Sequence, residues 1–137
     1  MTGPLTSLKV LDFSTLLPGP YATMMLADMG AEVLRVESPD RMDLTRLTPP
    51  HDEGVATAHA YLNRGKQSIT LNLKEPEAVE TIKSLVAKYD VVVEQFRPGV
   101  MARFGLDYDS LSAINPGLVY CSLSGYGQSG PKSGFSC

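Results

Sequence analysis

Cysteine is scarce in this sequence: there are two, Cys121 and Cys137, and neither has a Cys or His neighbour at ligand spacing. Neither a disulfide framework nor a metal site is predicted. Long apolar runs are also missing. No stretch approaches the roughly 20 residues of a membrane helix, and the apolar residues 24 to 26 are soon followed by Asp28. No basic tract occurs either. Twelve Lys plus Arg face fifteen Asp plus Glu, for a net charge of −3, so the phosphates of a nucleic acid find no complementary surface. The first residues, MTGP, lead almost directly into an apolar segment without the basic and apolar regions of a signal peptide. These absences predict a cytoplasmic protein with neither nucleic acid nor membrane as a partner.

What is present suits one folded domain. At 137 residues, 43% hydrophobic and 20% charged, the chain can bury a single core of ordinary composition. Residues 8 to 13, LKVLDF, read as a buried strand ending before a Pro-Gly-Pro turn. Pro20 suits a first helical position, and Ala22, Met25, Leu26 and Met29 follow at helical spacing until Gly30 offers a C-cap. Residues 32 to 37 form a second strand. Residues 38 to 60 hold Pro39, Pro49, Pro50, Thr45, Thr48 and Gly54 without a sustained period, and are predicted to be a long connection.

Residues 67 to 73 alternate polar and apolar side chains, as a half-buried strand does. Pro76, Glu75, Glu77 and the stripe Val79, Ile82, Val86 mark a helix that ends by Asp90. Val91, Val92 and Val93 suit a central parallel strand covered on both faces. Short helices over 100 to 104 and 108 to 114 and a last strand over 118 to 123 complete the pattern. The alternation predicts an α/β layered fold with a mostly parallel sheet and no internal repeat or linker.

Ligands of such sheets bind beyond the carboxyl ends of the strands. Residues 14 to 19, 38 to 46, 94 to 104 and 124 to 132 are therefore the candidate loops. The first offers helix N-terminal amides to an anion, with a plain strand-to-helix turn as the rival reading. A dinucleotide fingerprint fits poorly, because the loop has Gly19 where three spaced glycines are needed. Glu37, placed where an acidic residue could meet ribose hydroxyls, reads equally as a solvated strand end. In the third loop Phe96 could stack on a base while Arg97 and Arg103 pair with phosphates; a core phenylalanine and two solvated arginines are the alternative. His51 and His59 lie near no nucleophile motif and read as solvated loop residues. The glycines of residues 124 to 131 would let backbone amides approach a developing oxyanion, or simply make a flexible loop.

Five ordered blocks carry a more specific message: LKVLDF, PGPYATMMLADMGAEVLRVE, NRGKQSITLNLK, DVVVEQFRPGVMARFGL and INPGLVYCSLSGYGQSGP. Together they resemble the family III CoA-transferases, a group that includes formyl-CoA and carnitine CoA-transferases and the 2-methylacyl-CoA racemases. The resemblance implies a Rossmann-like, mostly parallel sheet with helices on both faces. Residues 1 to 137 would form the incomplete N-terminal, CoA-binding part of a larger domain in an interlocked homodimer. It further implies CoA contacts from Leu16, Leu17, Leu71, Lys74, Gln95, Phe96 and Arg103, with Arg97 added from the loop reading above. CoA is substrate there, not a resident cofactor. Where many relatives carry an arginine this chain has Ser38, with Arg41 and Arg46 as candidate substitutes. The essential aspartate of the family is expected beyond Cys137, so no catalytic residue is assigned within the chain and these residues alone are expected to be inactive.

Three functions follow from that resemblance. The first is transfer of CoA between carboxylic acids through an aspartyl anhydride and thioester. The second is racemisation of a 2-methylacyl-CoA by proton exchange at the α carbon. The third is CoA binding without chemistry.

Overall fold

The structure is a computed structural model that describes residues 2–135; Met1, Ser136 and Cys137, one of the two cysteines, lie outside the described residues. In chain order the elements are β1 (Lys9–Asp12), α1 (Pro18–Asp28), β2 (Glu32–Glu37), a 3₁₀ turn (Leu44–Arg46), β3 (His51–Asp52), β4 (Val55–Ala56) and α2 (Thr57–Leu62). There follow β5 (Gln67–Thr70), α3 (Pro76–Val86), β6 (Val91–Glu94), α4 (Val100–Arg103), α5 (Tyr108–Ile114) and β7 (Val119–Ser122). Five strands form one parallel sheet in the order β5-β2-β1-β6-β7.

Strand periodicity divides the core into two layers, because successive side chains leave a strand on opposite faces. On one face Leu11 and Val92 join Ile82 and Val86 of α3, Met101 of α4 and Leu111 of α5. On the other, Val10, Val33 and Val93 meet Ala27 of α1 and Ala31. Helices thus cover both faces, as the resemblance implies. Complete burial of one such aliphatic side chain stabilises the fold by about 1.5–3 kcal/mol. The helix α1 stops where Gly30 takes φ +102° and its amide bonds back to the Ala27 carbonyl at 2.9 Å, a conformation open to glycine at little cost.

The sheet matches the sequence reading, with ends trimmed by a few residues, and α1 starts at Pro18 rather than Pro20. The long connection does not. Residues 38 to 60 hold a 3₁₀ turn, a two-stranded hairpin and the start of α2. Asp43 explains the first, since its carboxylate accepts the Thr45 amide at 3.0 Å. Glu53 and Gly54, at φ 47° and 83°, explain the hairpin: two left-handed residues turn the chain with the twist that antiparallel strands require.

Candidate functional site

The chain runs outward from β1 through β2 to β5, then returns to place β6 on the opposite side of β1. Neighbouring strands β1 and β6 therefore send their following loops in opposite directions, which opens a crevice at their carboxyl ends. Gln95, just after β6, spans that crevice. Its Nε2 donates to the Thr15 carbonyl at 2.5 Å and its Oε1 accepts the Gly19 amide at 3.2 Å. Gly19 has no room for a side chain, since a Cβ there would lie 2.2 Å from Ser14 Cβ and 2.7 Å from Gln95 Oε1.

Between those two anchors, Leu16 has φ +64°, a left-handed conformation costing an L-residue roughly 1–2 kcal/mol. Its amide donates to Asp43 Oδ1 at 3.4 Å. Leu16 and Leu17 are 45% and 62% exposed, so the loop lifts two apolar side chains into solvent at the crevice.

Beneath the loop lies a buried polar network. The Asp12 carboxylate accepts from Ser14 and Thr23 and pairs with Lys66 Nζ at 3.2 Å. Lys66 also donates to the Pro20 carbonyl at 2.9 Å and to Asn63 Oδ1 at 3.2 Å. Burial lowers the Lys66 pKa below its ordinary value, although Asp12 opposes the shift. Arg35, 1% exposed, pairs with Asp43 and with Glu37 at 3.0 Å, and its Nε has no partner among the described residues.

Burial works against the charged forms of Glu37 and Asp43, but their donors win and hold both carboxyls below the usual range. Those donors are Arg46, Arg35 and Ser68 around Glu37, and Thr45, Arg35 and the Leu16 amide around Asp43. Thr45 Oγ1 bridges from Asp43 at 2.8 Å to His59 Nδ1 at 3.1 Å. Because the carboxylate can only accept, the hydroxyl proton points to Asp43, and His59 Nδ1 also lies 3.4 Å from the Asn63 side-chain amide nitrogen. Burial, with help from Arg46 and Arg35, lowers the His59 pKa.

Lys74 and Arg103, residues the resemblance assigns to CoA, line one groove of about 430 Å³ with Leu73, Val79, Phe104 and the acidic Glu80, which pairs with Lys83 at 3.3 Å. Lys74 makes a loose 3.8 Å pair with Asp40. Leu71 follows β5, its amide bonded to the Glu37 carbonyl at 2.9 Å, and is half-buried. Phe96 is half-buried and packs against the larger core layer, as the core-residue alternative has it. Arg97 opens into a different cleft of about 230 Å³, with Glu94, Asp107, Tyr108 and Ser122. Arg97 and Arg103, both read from the sequence as phosphate partners, therefore line separate clefts.

Two other readings need correction. Glu37 is no solvated strand end, since it holds Arg35, Arg46 at 2.7 Å and Ser68 at 2.9 Å. Arg46 is committed to that pair. His59 is not a solvated loop residue but 8% exposed inside the network, whereas His51 is exposed. Asp12, Arg35, Asp43 and Lys66 were missed altogether. The available signal was a charge inside an apolar strand: Arg35 between Leu34 and Val36, and Asp12 between Leu11 and Phe13. Such a charge survives burial only with partners.

Known proteins share this architecture. A CAIB/BAIF family protein from Brucella suis superposes with a TM-score of 0.92 at 42% identity, over 99% of this chain and 37% of that one. The hypothetical protein Rv3272 from Mycobacterium tuberculosis gives 0.90 at 40% identity, over 99% of this chain and 38% of that one. In sequence, the succinate--glutarate CoA-transferase of Agrobacterium fabrum is 43% identical over 97% of this chain and 35% of its own length. The human succinyl-CoA:glutarate CoA-transferase is 46% identical over 95% of this chain and 30% of its own length. The chain thus spans about a third of these relatives. The family model for CoA-transferase family III matches residues 5–137, and with the fold and these relatives in agreement, the chain belongs to that family.

Proposed function

We propose that residues 1 to 137 form the CoA-binding, N-terminal part of an enzyme that transfers CoA between carboxylic acids. The observation that carries this reading is the groove in which Lys74 and Arg103 stand beside Leu73, Val79 and Phe104. Two cations next to apolar walls suit a phosphorylated nucleotide with a flexible thioester arm. The crevice loop with Leu16 and Leu17 would receive the arm. Gln95 and Phe96 border that crevice, and Leu71 leads from β5 toward the groove.

In the whole protein, a carboxylate from the sequence beyond residue 137 attacks the thioester carbonyl and expels CoA as its thiolate, leaving a mixed anhydride. The thiolate then attacks the enzyme carbonyl of that anhydride, releasing the first acid and forming an enzyme thioester. An incoming carboxylate repeats the two steps in reverse. The relatives named above as CoA-transferases favour this chemistry over α-carbon racemisation. Deuterium uptake at the α carbon without exchange of CoA into a free acid would mark the racemase instead. Assembly as an interlocked homodimer rests on the family resemblance.

Calorimetric titration of the chain with CoA tests the binding reading. Saturable binding below millimolar concentration is expected, and its absence would remove the basis for both a binding module and an enzyme part.

A further inference from the structure

The crevice loop is held from both sides by groups that need not touch a ligand. From the β6 side, Gln95 spends both ends of its amide on the loop, one on the Thr15 carbonyl and the other on the Gly19 amide. From the β2 side, Asp43 accepts the Leu16 amide while Arg35 and Thr45 fix the carboxylate. Asp43 is 4% exposed, so it meets the loop from below rather than from solvent. Leu16 keeps its left-handed conformation between these two holds. An L-residue relaxes from that region when nothing opposes it.

We propose that Gln95 and Asp43 are positioning residues for acyl-CoA, a clamp that presets the loop of Leu16 and Leu17 before ligand arrives. The inference rests on the CoA-binding reading above. It assigns Gln95 a role distinct from ligand contact, and it brings in Asp43, which sequence reasoning passed over. A preset loop raises affinity by the fraction of molecules already in the binding-competent form.

The sequence supplies each half of the device separately. Gly19 lets the α1 N-terminus come within reach of Gln95, and its amide, among the first of a helix, has no intrahelical acceptor. Asp43 stands at the head of its 3₁₀ turn with its carboxylate already ordered by the Thr45 amide. Segment 38–60 and the loop after β6 are thereby tied to the same six residues, 14 to 19.

The test combines amide hydrogen exchange with CoA titration on the whole chain, comparing the native protein with Gln95→Met and Asp43→Ala. Gln95→Met keeps the volume and removes both hydrogen-bonding groups. In the native protein the Leu16 and Gly19 amides are expected to be protected. Gln95→Met should release Gly19, and Asp43→Ala should release Leu16, while the Val92 amide stays protected. Each variant should raise the CoA dissociation constant about tenfold, as expected when the competent loop falls to about a tenth of molecules. If Val92 also loses protection in Asp43→Ala, that variant has unfolded and Gln95→Met alone decides. Unchanged affinity with a released loop overturns the clamp. So does lost affinity with the loop still protected, which would make Gln95 a direct ligand contact. Failure of the native chain to bind CoA overturns the acyl-CoA reading instead, and is seen independently of the exchange pattern.

Discussion

Lys66 Nζ sits 3.2 Å from Asp12 Oδ2, and both side chains are shut away from solvent. Such a pair adds little by itself, because the attraction mainly offsets the loss of water. Removing one partner is another matter, since the other charge remains buried. Lys66→Ala is therefore expected to destabilise the fold by about 3–5 kcal/mol, read as a lower midpoint of urea unfolding. A loss under about 1 kcal/mol is what an exposed pair would give, and would contradict the burial described.

Gly19 is the second sensitive point. A methyl group there meets Ser14 Cβ at 2.2 Å, and Ser14 is itself held by Asp12. Gly19→Ala should cost about 1–3 kcal/mol through overpacking and should weaken CoA binding through the displaced loop. Thermal unfolding and titration of one sample read both; an unchanged melting temperature would mean the loop yields freely.

The groove predicts a salt-sensitive ligand. Arg103→Ala and Lys74→Ala should each raise the CoA dissociation constant, and the native protein should lose affinity as ionic strength rises, because exposed charges are screened over about 10 Å at 0.1 M salt. Repeating the titration at two salt concentrations checks this. Variants that bind as well as native protein would move the phosphates elsewhere, with Arg97 in the other cleft as the next candidate.

Acid should lower the stability of the protein in two stages. The His59 pKa lies below its usual 6.5, so as pH falls through 6.5 the unfolded chain takes the proton first and stability drops. Glu37 and Asp43 lie below their usual 4.5 and 3.8. Their stabilisation is present above those values and is lost as pH falls through the lower folded ones. His59→Gln should abolish the upper stage and leave the lower, as measured by melting temperature between pH 7 and 3.

These sensitive points differ in how openly the sequence shows them. Val92 and Ile82 were legible because burial on a strand or helix face imposes a period, and a period survives in one dimension. Lys74 became a candidate through ordered family blocks and Arg103 already through its loop, and the fold brings them to one groove. The helix α2 was hidden, since at six residues it is short for its own periodicity and has no side-chain cap. The network of Asp12, Arg35, Asp43, His59 and Lys66 was hidden for a different reason. Pattern reading assigns charge to the surface, and the partners that make burial tolerable come from segments far apart in sequence, such as Asp12 and Lys66.

Pairing of Val10 with Val91 has a kinetic consequence. During synthesis β1 can join β2 as soon as α1 has turned back, but its other edge stays open until β6 emerges, after α2, β5 and α3. That edge carries unpaired backbone groups, the kind of surface on which chains associate wrongly. Closing it requires ordering the longest loop of the central sheet, which slows folding. The strand that completes the crevice is thus also the one whose delay leaves the nascent chain most open to aggregation.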